Sequence, residues 1–329
     1  MSPRFVASFR AAVAMLALLS LAPAPSVLGQ SSPGPADHAA GSMWKAPRTA
    51  DGQPDLQGFW TSSTYTPLER PAEFADKEFF TVEEAAAFAK NRVDRLLAQP
   101  QDSIHYDDAI WQTEGDFKTT TTLRTSLITD PPTGQIPPLT AAAQRRADAR
   151  AAARRVSGSA DSYENRALSE RCIKWGSEGP PMLPPGYYAN YQFLQGPDYV
   201  VLMQEMSSNT RVVPLDGSPH LGHDIRQWSG DSRGRWEGET LVVETTNFDG
   251  RTEYRGATEK LRVIERFTRV GPDSIRYEFT VSDPDTWEQP WSGEVPMTRI
   301  EGPLFEYACH EGNYGLANIL RAARVTEQE

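Results

Sequence analysis

The sequence is poor in cysteine, histidine and positive charge. Two Cys among 329 residues exclude a disulfide-dense scaffold, which needs several bridges in a short chain. Lys and Arg total 33 against 44 Asp and Glu, a net charge of −11 with the five His neutral. Nothing there builds the positive field that holds a phosphate backbone, so no nucleic acid is expected as a partner. Beyond residue 29 no apolar run approaches bilayer length, which excludes a multipass membrane protein. Glycine-rich phosphate loops, the dinucleotide fingerprint, the helical His-Glu-x-x-His pair and the Gly-x-Ser-x-Gly elbow are all lacking. Nucleotide chemistry and the familiar serine-esterase arrangement lose support, and no organic cofactor is expected.

What is present begins with an address. Arg4 and Arg10 precede an apolar run over residues 11–19, Pro23 and Pro25 follow, and Val27-Leu-Gly29 suits cleavage. This pattern predicts a signal peptide over 1–29, then a flexible leader rich in Ser, Pro, Gly and Ala over 30–49. The protein is expected to be periplasmic or secreted, with no stable membrane insertion after cleavage. Removing 1–29 takes away two Arg and no acidic residue, so the net charge moves from −11 to −13. Cys172 and Cys309 lie in the exported part, where they can either bridge or remain buried thiols. A catalytic thiol beside His310 is the weaker idea, because adjacent strand residues point to opposite faces.

The chain changes character near residue 186. Before it, Thr81-Val-Glu-Glu84 has capping-box spacing and predicts a helix over 82–97, and Pro137-Pro-Leu-Thr140 opens a second over 141–155. A Thr-rich strand is expected at 119–129, and the Pro-dense stretch 178–186 resists regular structure. After it, strands are expected at 199–204, 210–215, 240–246, 261–269, 275–281, 295–300 and 304–308. Ile275, Tyr277, Phe279 and Val281 recur at period two, which means one buried face and one wet face. Many strands without βαβ alternation predict a mainly β protein, an antiparallel lipocalin-like barrel or a strongly curved sheet with added helices and Pro-rich loops. Residues 187–329 form its expected main body, with 50–186 wrapping the core as part of one structural domain.

Two polar segments carry the candidate chemistry. The first runs from His220 to Gly238 and is read as a loop, and the second covers 306–314. The candidate catalytic groups are His220, Asp224, Arg226, Asp231, Arg235, His310 and Glu311. His220 or His310 would move protons, Asp231 or Glu311 would orient or assist, and Arg226 or Arg235 would stabilise negative charge. Trp228, Trp236, Tyr188, Tyr307, Asn313 and Tyr314 are the candidate substrate-binding residues. A divalent metal is an option at His220, His223 and His310 if the fold gathers them. For each group a structural role in turns, caps and surface ion pairs competes with the functional one.

Several phrases together resemble an uncharacterised family of secreted bacterial proteins. They are Asp55-Leu-Gln-Gly-Phe-Trp60, Asp130-Pro-Pro-Thr-Gly-Gln-Ile-Pro-Pro138, Glu170-Arg-Cys172, Gly230-Asp-Ser-Arg-Gly-Arg-Trp-Glu-Gly-Glu-Thr-Leu-Val-Val243 and Tyr307-Ala-Cys-His-Glu-Gly-Asn-Tyr314. The resemblance implies export and transfers no activity to any residue. The late strands also resemble a lipocalin-like or calycin-like barrel, an architecture that hosts carriers and enzymes alike. The expected function is a secreted small-molecule hydrolase or lyase acting by His/Asp/Glu acid–base chemistry. The alternative is a non-catalytic periplasmic carrier of an aromatic or amphipathic ligand.

Overall fold

Alternation of apolar and polar residues builds most of this molecule. The computed structural model describes residues 44–98, 122–176, 178–184, 189–252 and 254–327. The predicted signal peptide, residues 30–43 of the leader and Tyr188 lie outside them. Among the described residues there are ten strands: β1 (Gly58–Thr61), β2 (Ile128–Asp130), β3 (Asn190–Gln195), β4 (Tyr199–Gln204), β5 (Thr210–Pro214), β6 (Asp231–Glu237), β7 (Thr240–Thr246), β8 (Arg262–Gly271), β9 (Ser274–Ser282) and β10 (Trp291–Ile300). Three α-helices accompany them: α1 (Val82–Leu97), α2 (Ala141–Val156) and α3 (Tyr314–Thr326).

The strands form one antiparallel sheet in the order β5-β4-β3-β1-β10-β9-β8-β7-β6, with β2 pairing β10 beside this path. Its inner face collects Trp60, Tyr191, Phe193, Leu202, Val213, Leu241, Val243, Val263, Phe267, Tyr277, Phe279, Trp291 and Val295, all buried. Strands far apart in this order touch through their side chains. Phe193 of β3 and Phe267 of β8 meet edge to face at 5.5 Å, and Arg211 of β5 reaches Glu265 of β8. The sheet is therefore strongly curved, with its rings packed on the concave side. Phe267 and Tyr277 stack at 4.8 Å, and Phe279 meets Trp291 at 5.6 Å.

The curved sheet does not close into a barrel, since β5 and β6 are not hydrogen-bonded to each other. Their edges come together through side chains instead. A methyl group on Gly234 of β6 would stand 2.8 Å from Val213 Cγ1 and 2.7 Å from Leu215 Cδ2. Apolar packing takes the place of a ladder at this seam.

The helices follow their caps. Thr81 Oγ1 accepts the Glu84 N–H at 3.2 Å and the Glu84 carboxylate accepts the Thr81 N–H at 2.8 Å, the reciprocal pair that starts α1. Thr140 Oγ1 caps α2, whose only buried residue is Ala143, as its thin apolar face predicts. No helix of the described residues is long and apolar enough to cross a membrane.

Some local readings change. Within 122–130 only Ile128–Asp130 is strand, because Ser126 turns back to hydrogen-bond the Ile128 carbonyl at 2.9 Å. Residues 304–308 are not a strand, and α3 follows them where no helix was expected. The segment read as a loop to residue 238 turns into strand at Asp231, in full register with β7. β1, from the part expected to wrap the core, lies between β3 and β10 in the sheet.

Candidate functional site

The predicted groups separate into one engaged pair and several surface residues. His220 Nδ1 lies 2.9 Å from Asp231 Oδ2, which also accepts the Leu221 N–H at 3.0 Å. Asp231 Oδ1 accepts from Arg233 at 2.7 Å, and the Arg233 Nε–H is held by the Pro219 carbonyl. The carboxylate is 5% exposed and fixed by three partners, while the imidazole keeps 26% exposure. The first residue of β6 thus anchors the loop before it. Ser232 pairs its hydroxyl with Thr245 inside the sheet, so alternation turns Asp231 to the outer face.

The other candidates of this segment are committed elsewhere. His223 and Asp224 are almost fully exposed. Arg226 binds Glu259 through its carboxylate at 3.2 Å and its carbonyl at 3.1 Å. Arg235 pairs with Glu237 on the surface at 2.6 Å. The Arg251 guanidinium lies 4.8 Å over the Trp228 ring, and Trp236 packs against the core.

The second segment belongs to a different neighbourhood. Cys172 and Cys309 form a disulfide with Cα atoms 5.7 Å apart. Asn313 donates to the Glu170 carbonyl at 2.8 Å and caps α3 through Leu316 N–H, and Tyr307 meets Trp175 edge-on at 6.4 Å. His310 and Glu311 are exposed, and Tyr314 is 75% exposed. Among the described residues no group of three or more His, Cys, Asp or Glu is placed to hold a metal. His220, His223 and His310 therefore do not form a common metal site.

The sheet interior holds polar chemistry of its own. Arg211 makes two hydrogen bonds to Glu265, at 2.7 and 3.0 Å, with the carboxylate fully buried. The Tyr277 hydroxyl donates to Glu265 at 2.8 Å and accepts the Met182 N–H at 2.8 Å. Burial and the Glu265 charge push the Tyr277 hydroxyl far up. Burial pulls Arg211 down, but the charge and hydrogen bonds of Glu265, with Tyr277 and Tyr191, together hold the guanidinium above its ordinary value.

Beside this pair sits Lys174, 6% exposed, at the start of the irregular stretch that continues into the Pro-rich segment. Burial pushes its ammonium down to about 8, with Glu178 and Glu265 opposing and Arg211 reinforcing the shift. Its Nζ lies 2.7 Å from the Gly179 carbonyl, 3.3 Å from the Trp228 carbonyl and 3.1 Å from Ser229 Oγ. Asn209, in the turn between β4 and β5, donates through Nδ2 to Glu178 at 3.1 Å and to Ser229 Oγ at 3.2 Å. Burial raises Glu178 above the usual carboxylate range, against hydrogen bonds from the Trp175 N–H and Asn209.

Compared with family models, curated proteins and solved structures, the chain matches none.

Sequence reasoning passed over the interior groups, although a signal existed. Glu265 stands in phase with Val263 and Phe267, and Arg211 with Val213, so each charge interrupts an inward-facing row. A charge at an inward phase needs a buried partner. Lys174 carries no such pattern, because its segment has no periodicity.

Proposed function

We propose that the protein is an exported small-molecule enzyme of hydrolase or lyase type, in which His220 transfers protons and Asp231 is its positioning partner. The observation that carries this reading is the His220 Nδ1–Asp231 Oδ2 contact at 2.9 Å, with the carboxylate buried and the imidazole half-open. A buried carboxylate on one ring nitrogen fixes the tautomer and leaves the other nitrogen for substrate. Arg233, rather than Arg226 or Arg235, is the guanidinium beside the pair, and it holds the carboxylate in place. Export is supported by the signal-like N-terminus, the secreted-family resemblance and a disulfide, which persists in oxidising compartments. The packed rings on the concave face weigh against carriage of a bulky apolar ligand there.

The test is turnover of a panel of p-nitrophenyl esters, phosphates and glycosides by wild type, H220Q and D231N. General acid–base catalysis contributes about 10²–10⁴-fold. H220Q should lose at least about a hundredfold of kcat, and D231N should lose part of that, both with unchanged circular dichroism. Full turnover by a folded H220Q variant removes His220 from the mechanism.

A further inference from the structure

We propose that Ser229 and Lys174 form a second reactive centre, a serine nucleophile with a lysine base, directed at carboxylic ester or amide carbonyls. It goes beyond the His220–Asp231 reading and stands on different residues. That pair belongs to the outer side of β6, whereas Lys174 lies among the interior charges of Arg211, Glu178 and Glu265.

The hydrogen-bond geometry accommodates either the ammonium or the neutral amine. As an ammonium, Lys174 donates to all three of its neighbours. As an amine it has two N–H bonds and one lone pair. The two N–H bonds match the Gly179 and Trp228 carbonyls, which can only accept, and the lone pair then faces Ser229. Asn209 Nδ2 donates to Ser229 Oγ from the other side and is itself held by Glu178. With its oxygen already receiving that N–H, the Ser229 hydroxyl is free to turn its hydrogen to Lys174. Asn209, donating to both Glu178 and Ser229, fixes the Ser229 hydroxyl between itself and Lys174. Ser229 is half-buried rather than sealed in the core. Burial that pushes Lys174 down to about 8 makes the neutral form accessible at mildly alkaline pH, with Glu178 and Glu265 opposing and Arg211 assisting.

The step balances with the substrate and water alone. Ser229 Oγ attacks the carbonyl carbon as its proton passes to Lys174 Nζ. The bond to the alcohol or amine breaks, and the leaving group takes the proton from Lys174. An acyl ester on Ser229 remains. Water attacks it, again giving a proton to Lys174, and Ser229 recovers that proton as the carboxylic acid departs.

Fluorophosphonate labelling of the full-length oxidised protein, read by peptide mass spectrometry, tests this directly. The expected result is a phosphonyl adduct on Ser229 that is lost in S229A. With Lys174 titrating at about 8, the labelling rate of wild type should rise about 30-fold between pH 6.5 and 9.5. K174Q should slow labelling about a hundredfold. The wild-type pH profile keeps the lysine role testable if K174Q fails to fold. No adduct on Ser229 at pH 9.5, or equal labelling of S229A, overturns the proposal. A rate that ignores pH across this range removes Lys174 as the base.

Discussion

Glu205 shows what an unpaired buried carboxylate does to this fold. It is 4% exposed; its Oε2 accepts the Phe305 N–H at 3.3 Å, and its Oε1 has no hydrogen-bond partner among the described residues. Burial raises its pKa above the ordinary carboxylate value, against the hydrogen bond from Phe305. A folded pKa above the unfolded one means the native state binds the proton more tightly. That contribution is complete below the unfolded value and is lost as pH rises through the folded value. E205Q should therefore stabilise the protein by about 1 kcal/mol at pH 7. Its melting-temperature advantage over wild type should shrink as pH falls from 7 to 4.5, which calorimetry at several pH values will read. Arg211 and Glu265 are the contrasting case, two buried charges with each other and Tyr277 as partners. Such a pair contributes little net stability, but losing one member strands the other. These interior roles were only partly legible in the sequence. Arg211 and Glu265 sit at inward phases of their strands, yet no spacing says that β5 and β8 face each other. The Lys174–Ser229 contact joins two irregular segments 55 residues apart, where periodicity has nothing to report.

At the scale of the element, what could be read depended on whether the stabilising contacts were local. The α1 boundaries follow from Thr81 and Glu84, three residues apart, and β9 follows from four apolar residues at period two. β6 was hidden because Asp231-Ser-Arg-Gly234 looks like a turn, and only pairing with β7 makes it strand. α3 was hidden behind the polar run that caps it, although Asn313 serves as its N-cap. β10 presents another long-range constraint. Its register on β2 shifts between Ser292 and Gly293, where the strand is squeezed between β2 and β9. A methyl on Gly293 would stand 2.5 Å from Phe279 Cζ and 2.9 Å from the Leu127 carbonyl oxygen. The backbone oxygen cannot swing away as a side chain can. G293A should cost about 1–3 kcal/mol by overpacking, measurable as a lowered urea midpoint with an unchanged slope.

For the whole molecule, the disulfide is the main covalent constraint beyond the sheet. It spans 137 residues and ties the C-terminal tail to the segment two residues before Lys174. Joining positions so far apart restricts the unfolded chain strongly. C172S/C309S should lose about 2–5 kcal/mol in guanidinium unfolding. Residues 301–326 should also become more open to protease, since Asn313 and Tyr307 dock on the same segment that Cys172 holds.

The place of β1 adds a constraint in time. Its partners are β3 on one side and β10 on the other, so the middle of the sheet joins a strand ending at residue 61 to one ending at residue 300. Until β10 has emerged from the ribosome, β3–β5 and β6–β9 have nothing to join them through the centre. The architecture favours folding after synthesis is complete and makes it slow, because its central pairing has very high contact order. The same delay keeps the sheet from locking before its last strand has been made.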